Sequence, residues 1–220
     1  MVRVIISEEV KSLFPDFRGG YISAVVKNSQ SDKQLWEEID ICTTEYKSTH
    51  KIDDIKNHPV ISATRAAYKS LGKDPNRYRP SSEALYRRIL RDLQLYKVNT
   101  LVDIINLVSI YSGYSIGGFD EEKIEGHTLT MSVGKVNEPY DAIGRGIMNI
   151  EGLPVYRDVI GGVGTPTSDN ERTKISLETK QLFAVFNGFN GSDGLSDAMR
   201  YMQSLLEKYV NACKIESGYF

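Results

Sequence analysis

An almost uninterrupted apolar segment, residues 101–111, places the strongest constraint on how this 220-residue chain can fold. Its side chains are hydrophobic on nearly every helical face, as expected of a helix buried on most sides. Thr100 is predicted to cap the helix, with Asp103 three residues later completing a capping box, and Gly113 to end it. The segment therefore predicts a central helix against which other elements pack.

Two polar residues interrupt this helix, and the spacing of three places Asp103 and Asn106 on one side of it. A buried carboxylate or carboxamide must be hydrogen-bonded or must line a wet cavity. Gly117-Gly118 then predict a turn in which the backbone could approach a ligand closely. The segment thus predicts one wall of a pocket. The alternative is that Asp103 caps its own helix and Asn106 holds a loop, which is the commoner use of buried polar groups.

Composition narrows the classes of function. The net charge of -2 gives no overall attraction to nucleic acid or to an anionic membrane, although a local basic face stays open. No apolar run reaches the roughly 18 residues that cross a bilayer, and the charged N-terminus is unlike a secretory signal. Cys42 and Cys213 indicate reduced thiols, and the histidines lack metal-binding spacing. We therefore expect a cytoplasmic protein without metal or cofactor.

Residues 65–91 form a basic span with interleaved tyrosines and few acids. Surfaces of this kind contact phosphates and stack on exposed bases. Arg79, Arg87 and Arg88 are therefore the candidate RNA contacts. The alternative is a solvated helix face whose long arginine side chains cover the core.

A polar, glycine-rich loop at residues 161–169 is a second candidate ligand site. Its backbone N–H groups and hydroxyls, with the guanidinium that follows, suit an anionic or carbonyl-bearing ligand, although the spacing of a phosphate-binding loop is absent. The predicted contacts are Thr165, Arg172 and Thr173.

Helices cluster early in the chain and strands cluster late. This order predicts an α+β fold, a single domain over residues 1–220 with a mixed central β-sheet flanked by helices. A final helix is expected, capped by Ser192 or Ser196.

Three stretches of the chain carry a family resemblance: R-P-S-S-E-A-L-Y-R-R-I-L (79–90), V-N-T-L-V-D-I-I-N-L-V (98–108) and G-Y-S-I-G-G-F-D (113–120). They resemble the B3/B4 editing domain of the phenylalanyl-tRNA synthetase beta chain, over roughly residues 60 to 190. Because the sequence shows no aminoacylation domain and no adenylate-forming motif, it resembles a freestanding version of that domain.

The resemblance implies hydrolysis of an amino acid wrongly esterified to tRNA, in a pocket beside the central helix. Such editing requires no nucleophilic Ser or Cys, because the terminal ribose hydroxyl of the tRNA can assist, and no catalytic residue is assigned. Asn106 matches the family's pocket asparagine. Asp103 and Asp120 match two motif acids that look structural.

The sequence also departs from the family pattern. Ile105 stands where the family has a pocket threonine, and Gly117 stands where it has a histidine. With the later strand aligned on Glu178-Thr179, Lys174 falls where a glutamate reads a tyrosine hydroxyl. We therefore do not expect tyrosine specificity.

The leading hypothesis is an aminoacyl-tRNA deacylase acting in trans, with the tRNA acceptor end as its partner. The predicted pocket residues are Asn106, Gly117, Gly118, Thr165, Arg172, Thr173 and Lys174. The alternative is a non-catalytic module that kept the pocket for a free amino acid or another small metabolite.

Overall fold

The structure, a computed structural model, describes residues 2–220. Its α-helices are Glu8–Leu13 (α1), Lys33–Thr49 (α2), Pro59–Ser70 (α3), Ser81–Leu90 (α4), Thr100–Ser112 (α5) and Leu195–Val210 (α6). Its strands are Arg3–Ile6 (β1), Arg18–Val25 (β2), Ile116–Asp120 (β3), Thr128–Val133 (β4), Asp141–Ala142 (β5), Gly146–Ile147 (β6), Pro154–Arg157 (β7), Gly162–Gly164 (β8), Gln181–Gly188 (β9) and Cys213–Tyr219 (β10). Within residues 2–220, no helix is both long enough and apolar enough to cross a membrane.

The strands form two four-stranded sheets and one small hairpin. The first sheet has the order β1-β4-β7-β8 and is mixed, because β1 and β4 are parallel. The second has the order β10-β2-β9-β3 and is antiparallel, and β5 pairs with β6. The predicted α+β class is confirmed. The division of the strands between two sheets was not predicted, since strand pattern alone does not specify which strands pair.

Strand β9 lies at the centre of the fold because both of its faces are buried. Leu182, Ala184 and Phe186 face the helical layer, which α2, α5 and α6 build. Phe183 and Val185 alternate with them and pack on the mixed sheet. The molecule therefore has three layers, with the antiparallel sheet between the helices and the mixed sheet.

Helix α5 is the predicted central helix, but its N-cap is Asn99 and not Thr100. The Asn99 side chain accepts a hydrogen bond from the backbone N–H of Val102 at 3.1 Å. Thr100 instead donates to the carbonyl of Gln30 at 2.8 Å, which ties the start of α5 to an earlier loop. Gly113 ends the helix with φ of 78°, the left-handed conformation that glycine adopts without strain. The N-cap of α6 is Gly194, which lies between the two predicted serines, Ser192 and Ser196.

The buried acid Asp103 has a structural role. Its carboxylate accepts a hydrogen bond from the Trp36 indole N–H at 2.7 Å and another from the backbone N–H of Val98 at 3.3 Å. These contacts join α2, α5 and the segment that precedes α5. Asp120, the second motif acid, accepts a hydrogen bond from Thr179 at 2.9 Å. Both acids thus agree with the structural interpretation.

Candidate functional site

A cavity of about 450 Å³ lies between α4, α5, β3 and the loop that follows β8. Its wall is largely aliphatic, with Leu85, Val98, Val102, Ile105, Ile116, Ile143 and Ile175. Its polar lining residues are Ser81, Asn106, Ser109, Thr167, Ser168, Asp169 and Lys174. A largely apolar cavity, partly open to solvent and with a few convergent polar groups, is typical of a site for a small ligand.

Helix α5 supplies one complete wall of this cavity. Val102, Ile105, Asn106 and Ser109 line it, and their spacing of three, four and seven residues places them on one helical face. The Asn106 carboxamide has no hydrogen-bond partner among residues 2–220, and neither does the Ser109 hydroxyl. Asn106 therefore does not hold a loop in place, and its amide is available to a ligand.

Gly118 forms the wall of the cavity next to α5. It lies in β3 and not in the predicted turn, paired in register with Ala184 of β9. Successive residues of a strand point to opposite faces, so Gly118 faces α5 while Gly117 faces the mixed sheet. A side chain on Gly118 would meet the end of Ile105 at 2.3 Å, so glycine keeps this part of the cavity open.

Asp169 is the carboxylic acid of the cavity and was not among the predicted site residues. One of its carboxylate oxygens accepts a hydrogen bond from the backbone N–H of Gly118 at 3.0 Å. Burial disfavours the charged form of Asp169, and this single hydrogen bond compensates only in part. The pKa of Asp169 is therefore raised to about 7. The group therefore changes its charge near neutral pH. The sequence signal was weak, because an aspartate in a loop of glycine, threonine and proline is ordinary turn chemistry.

The loop that carries Asp169 is fixed by buried hydroxyl groups. Tyr140 donates a hydrogen bond to the carbonyl of Ser168 at 2.7 Å, and the Tyr68 hydroxyl lies 2.9 Å from that of Thr167. The Thr165 hydroxyl accepts hydrogen bonds from the backbone N–H groups of Thr167 and Ser168 at 3.2 and 3.1 Å. Thr165 thus shapes the loop.

Three of the predicted pocket residues, Asn106, Gly118 and Lys174, line this one cavity. The Lys174 ammonium forms an ion pair with Glu171, three residues earlier. A cation with its counter-charge therefore lies at the edge of the cavity. Lys174 occupies the sequence position at which the family resemblance implies a glutamate.

The other four predicted pocket residues do not line the cavity. Gly117 faces the mixed sheet and Thr165 shapes the loop, as described above. Arg172 donates to Asp158 at 2.9 Å and to the carbonyl of Lys123 at 3.1 Å. Thr173 is buried, and its hydroxyl oxygen lies 3.4 Å from the carbonyl oxygen of Val163. Each is held by the protein itself.

The basic span contains a buried carboxylate, which is one of the few acids in this part of the sequence. Glu83, on α4, has a fully buried side chain. It accepts hydrogen bonds from Arg65 and Arg87, each at 2.8 Å, and Arg79 lies 3.6 Å from it. This acid therefore orients Arg87, whereas the Arg79 guanidinium donates to the carbonyl of Asn76 at 3.2 Å. Contact of Arg79 and Arg87 with RNA stays a prediction.

Comparison with known proteins agrees with the sequence resemblance. A family model described as the B3/4 domain matches residues 63–212. An N-terminal fragment of the phenylalanyl-tRNA synthetase beta-subunit from Pyrococcus horikoshii aligns with 97% of this chain, at a TM-score of 0.52 and 14% identity. The chain spans 50% of that fragment, and at this identity the likeness concerns the fold. The search of curated proteins gave no match.

Proposed function

This chain belongs to the B3/4 domain family, and from that premise we propose that it is an editing-type domain that hydrolyses a mischarged aminoacyl-tRNA in trans. The single observation that supports this function best is the shared cavity of Asn106 and Asp169. A carboxamide that has no hydrogen-bond partner among residues 2–220 and an acid whose pKa is about 7 line the same largely aliphatic cavity.

Each part of an aminoacyl ester has a complementary group in this cavity. The aliphatic wall suits an apolar amino-acid side chain, since burial from water favours such contacts. Asp169, in its carboxylate form, can accept hydrogen bonds from the α-ammonium group. The Asn106 amide can donate to the ester carbonyl oxygen. Together these contacts would fix the ester relative to an attacking water.

The proposed reaction needs little more than this positioning. A water molecule attacks the ester carbonyl, and negative charge develops on the carbonyl oxygen, where an amide donor stabilises it most. The C–O bond to the ribose then breaks, and the ribose oxygen takes the proton that the attacking water gives up. The neighbouring ribose hydroxyl of the tRNA can relay that proton, so no protein nucleophile is required.

The test is deacylation of a panel of labelled mischarged tRNAs by the wild type and by the Asn106→Ala variant. We expect the wild type to hydrolyse at least one of these esters and the variant to be much slower. No hydrolysis across the panel, with the protein folded, would remove the deacylase from consideration.

A second candidate is a non-catalytic module that binds a free amino acid. The same cavity favours it, because a carboxylate and a carboxamide also suit the ammonium and carboxylate groups of a free amino acid. Lys174 at the edge of the cavity could offer a further charge to the ligand's carboxylate. In this case ligand binding would not need RNA.

The proposal covers residues 1–220 as one B3/4-like domain whose partner is the acceptor end of tRNA. The substrate is an RNA of translation, so the proposed location is the cytoplasm. No cofactor takes part in the proposed reaction.

A further inference from the structure

A second cleft, of about 680 Å³, opens between α2 and residues 92–97. Trp36 of α2 forms part of its lining, and Arg88 enters it from α4. The Arg88 guanidinium lies 4.1 Å from the ring centre of Tyr96, and the Lys97 ammonium lies 4.6 Å from that of Trp36. The Tyr96 ring is 69% exposed, so one face of an aromatic platform is open to a ligand.

Two cations of this cleft have no carboxylate partner. Within residues 2–220, Arg88 and Lys97 form no ion pair, whereas Lys47 in the same cleft is paired with Asp92. Arg88 is nevertheless held in place, because its Nε donates to the carbonyl of Gln94 at 3.1 Å. These two cations differ from Arg79 and Arg87, whose charges Glu83 partly neutralises.

The cleft adjoins the cavity that contains Asn106. Lys97 lines the cleft and the next residue, Val98, lines the cavity, so one segment of the chain borders both spaces. Helix α4 repeats this arrangement, with Arg88 in the cleft and Leu85, three residues earlier, in the cavity. Asp103 fixes the junction through its hydrogen bonds to Trp36 and Val98.

We propose that this cleft binds the single-stranded 3′ end of the RNA whose esterified amino acid enters the adjoining cavity. A base stacks on Tyr96, while Arg88 and Lys97 contact phosphate groups. This inference rests on the proposed function, because an ester at the RNA terminus is covalently continuous with the nucleotides that precede it. Aromatic rings combined with unpaired cations are the usual means of binding single strands without reading their sequence.

The direct test is binding of a short, uncharged, fluorescently labelled single-stranded RNA, measured by anisotropy. The variant Tyr96→Ala/Lys97→Gln removes the platform and one cation. We expect its Kd to rise roughly ten-fold and the slope of log Kd against log salt to fall by about 0.7. Thermal unfolding of the same samples checks that the variant is folded.

A matched control is Tyr219→Ala/Lys214→Gln on β10. Tyr219 is 60% exposed, and neither residue lines the cavity or the cleft, so this variant makes the same chemical change elsewhere. It should bind the RNA like the wild type. Equal affinity of the cleft variant and the wild type would overturn the proposal. Absence of binding by the wild type, or equal displacement by an acidic peptide, would also overturn it.

Hydrolysis of two substrates separates this proposal from the proposed function. A mischarged tRNA reaches both sites, whereas the same amino acid esterified to adenosine alone reaches only the cavity. The cleft variant should lose roughly ten-fold in kcat/KM on the tRNA and keep its rate on the adenosine ester. Equal loss on both would overturn the role of the cleft. If the wild type hydrolyses neither ester, the proposed function fails, and RNA binding alone still decides the cleft.

Discussion

The two polar side chains central to the cavity, Asn106 and Asp169, differ in the hydrogen bonds that they make within the protein. Asn106 makes no hydrogen bond within the described chain, so the folded state gains little from its amide. Asp169 accepts one backbone hydrogen bond and holds the backbone of Gly118 toward the loop. A partly buried polar group that the fold does not satisfy is a group that a ligand can satisfy.

Replacement of Asn106 should therefore separate activity from stability. We expect Asn106→Ala to lower deacylation at least ten-fold, since the loss of one donor to a developing oxyanion is costly. Its free energy of unfolding should change by less than about 1 kcal/mol. Single-turnover hydrolysis and thermal unfolding measure the two effects.

Asn187 provides the comparison for that variant. It is buried, accepts a hydrogen bond from Tyr156 at 3.0 Å and donates to the carbonyl of Ser115 at 2.8 Å. Asn187→Ala should cost about 1–3 kcal/mol of stability, because it leaves these partners unsatisfied. A loss of that size in Asn106→Ala would mean that Asn106 is a structural residue.

The raised pKa of Asp169 predicts that a change of pH has opposite effects on the stability and on the activity of the protein. Its folded-state pKa of about 7 lies above the ordinary 3.8. Between about pH 4 and 7 the folded protein keeps a proton that the unfolded chain has lost, so this group lowers stability as the pH rises through that window. Activity should rise over the upper part of the same range, with a midpoint near pH 7, because the ammonium group requires the carboxylate.

The variant Asp169→Asn tests both effects of pH. It should be more stable than the wild type at pH 8, by about 1–2 kcal/mol given that the cavity is open to water, with the difference largely gone at pH 4. Its activity should be low and without the midpoint near pH 7. Unfolding at the two pH values and a pH–rate profile give the answer. An unchanged difference in stability between pH 4 and 8 would contradict the raised pKa.

At the scale of elements, α4 combines a pocket wall with a charged cluster. Ser81 and Leu85 face the cavity, while Glu83 carries a buried carboxylate that lies within ion-pair distance of three arginines. The cluster retains more positive than negative charge. Its acid nevertheless fixes the positions of the Arg65 and Arg87 guanidinium groups.

Removal of that acid should destabilise the protein. Glu83→Gln leaves Arg65 and Arg87 without their counter-charge in a partly buried setting, and breaking such a pair costs about 3–5 kcal/mol. At roughly 2–4 °C for each kcal/mol in a chain of this size, Tm should fall by about 6 °C or more. The matched variant Glu122→Gln, at an exposed acid that forms no ion pair with the part of the chain that the structure describes, should leave Tm unchanged. A similar Tm for both variants would mean that solvent, and not Glu83, stabilises the arginines.

The sequence predicted individual elements better than the contacts between them. The apolar pattern of α5 and the glycine at its end specify that helix locally, and both predictions were correct. Gly117-Gly118 were expected to form a turn because two adjacent glycines are a turn signal, but pairing with β9 extends them into a strand. Asp169 depends on a contact with Gly118, 51 residues away, and no local pattern encodes such a contact.

At the scale of the whole molecule, the two candidate functions, deacylase and amino-acid module, differ in which ligand should stabilise the folded protein. A module should be stabilised by a free amino acid alone, by about 2.7 kcal/mol at a hundred times its Kd. The deacylase needs the nucleic acid for much of its affinity. We therefore expect free amino acids to shift Tm little and an uncharged tRNA to shift it more. A shift of several degrees with one amino acid, absent in Asn106→Ala, would favour the module.

The net charge of -2 limits how strongly any RNA can be held. No overall field attracts the RNA, so affinity has to come from a few local cations, chiefly those without a carboxylate partner. With two or three phosphate contacts, the slope of log affinity against log salt should be about -1.5 to -2 for a single strand. Affinity for the labelled single-stranded RNA should then fall about ten-fold between 50 and 200 mM salt. Anisotropy titrations across that range measure the slope. A flat response would contradict phosphate binding altogether, and a slope steeper than about -4 would require a much larger basic surface than the cleft provides.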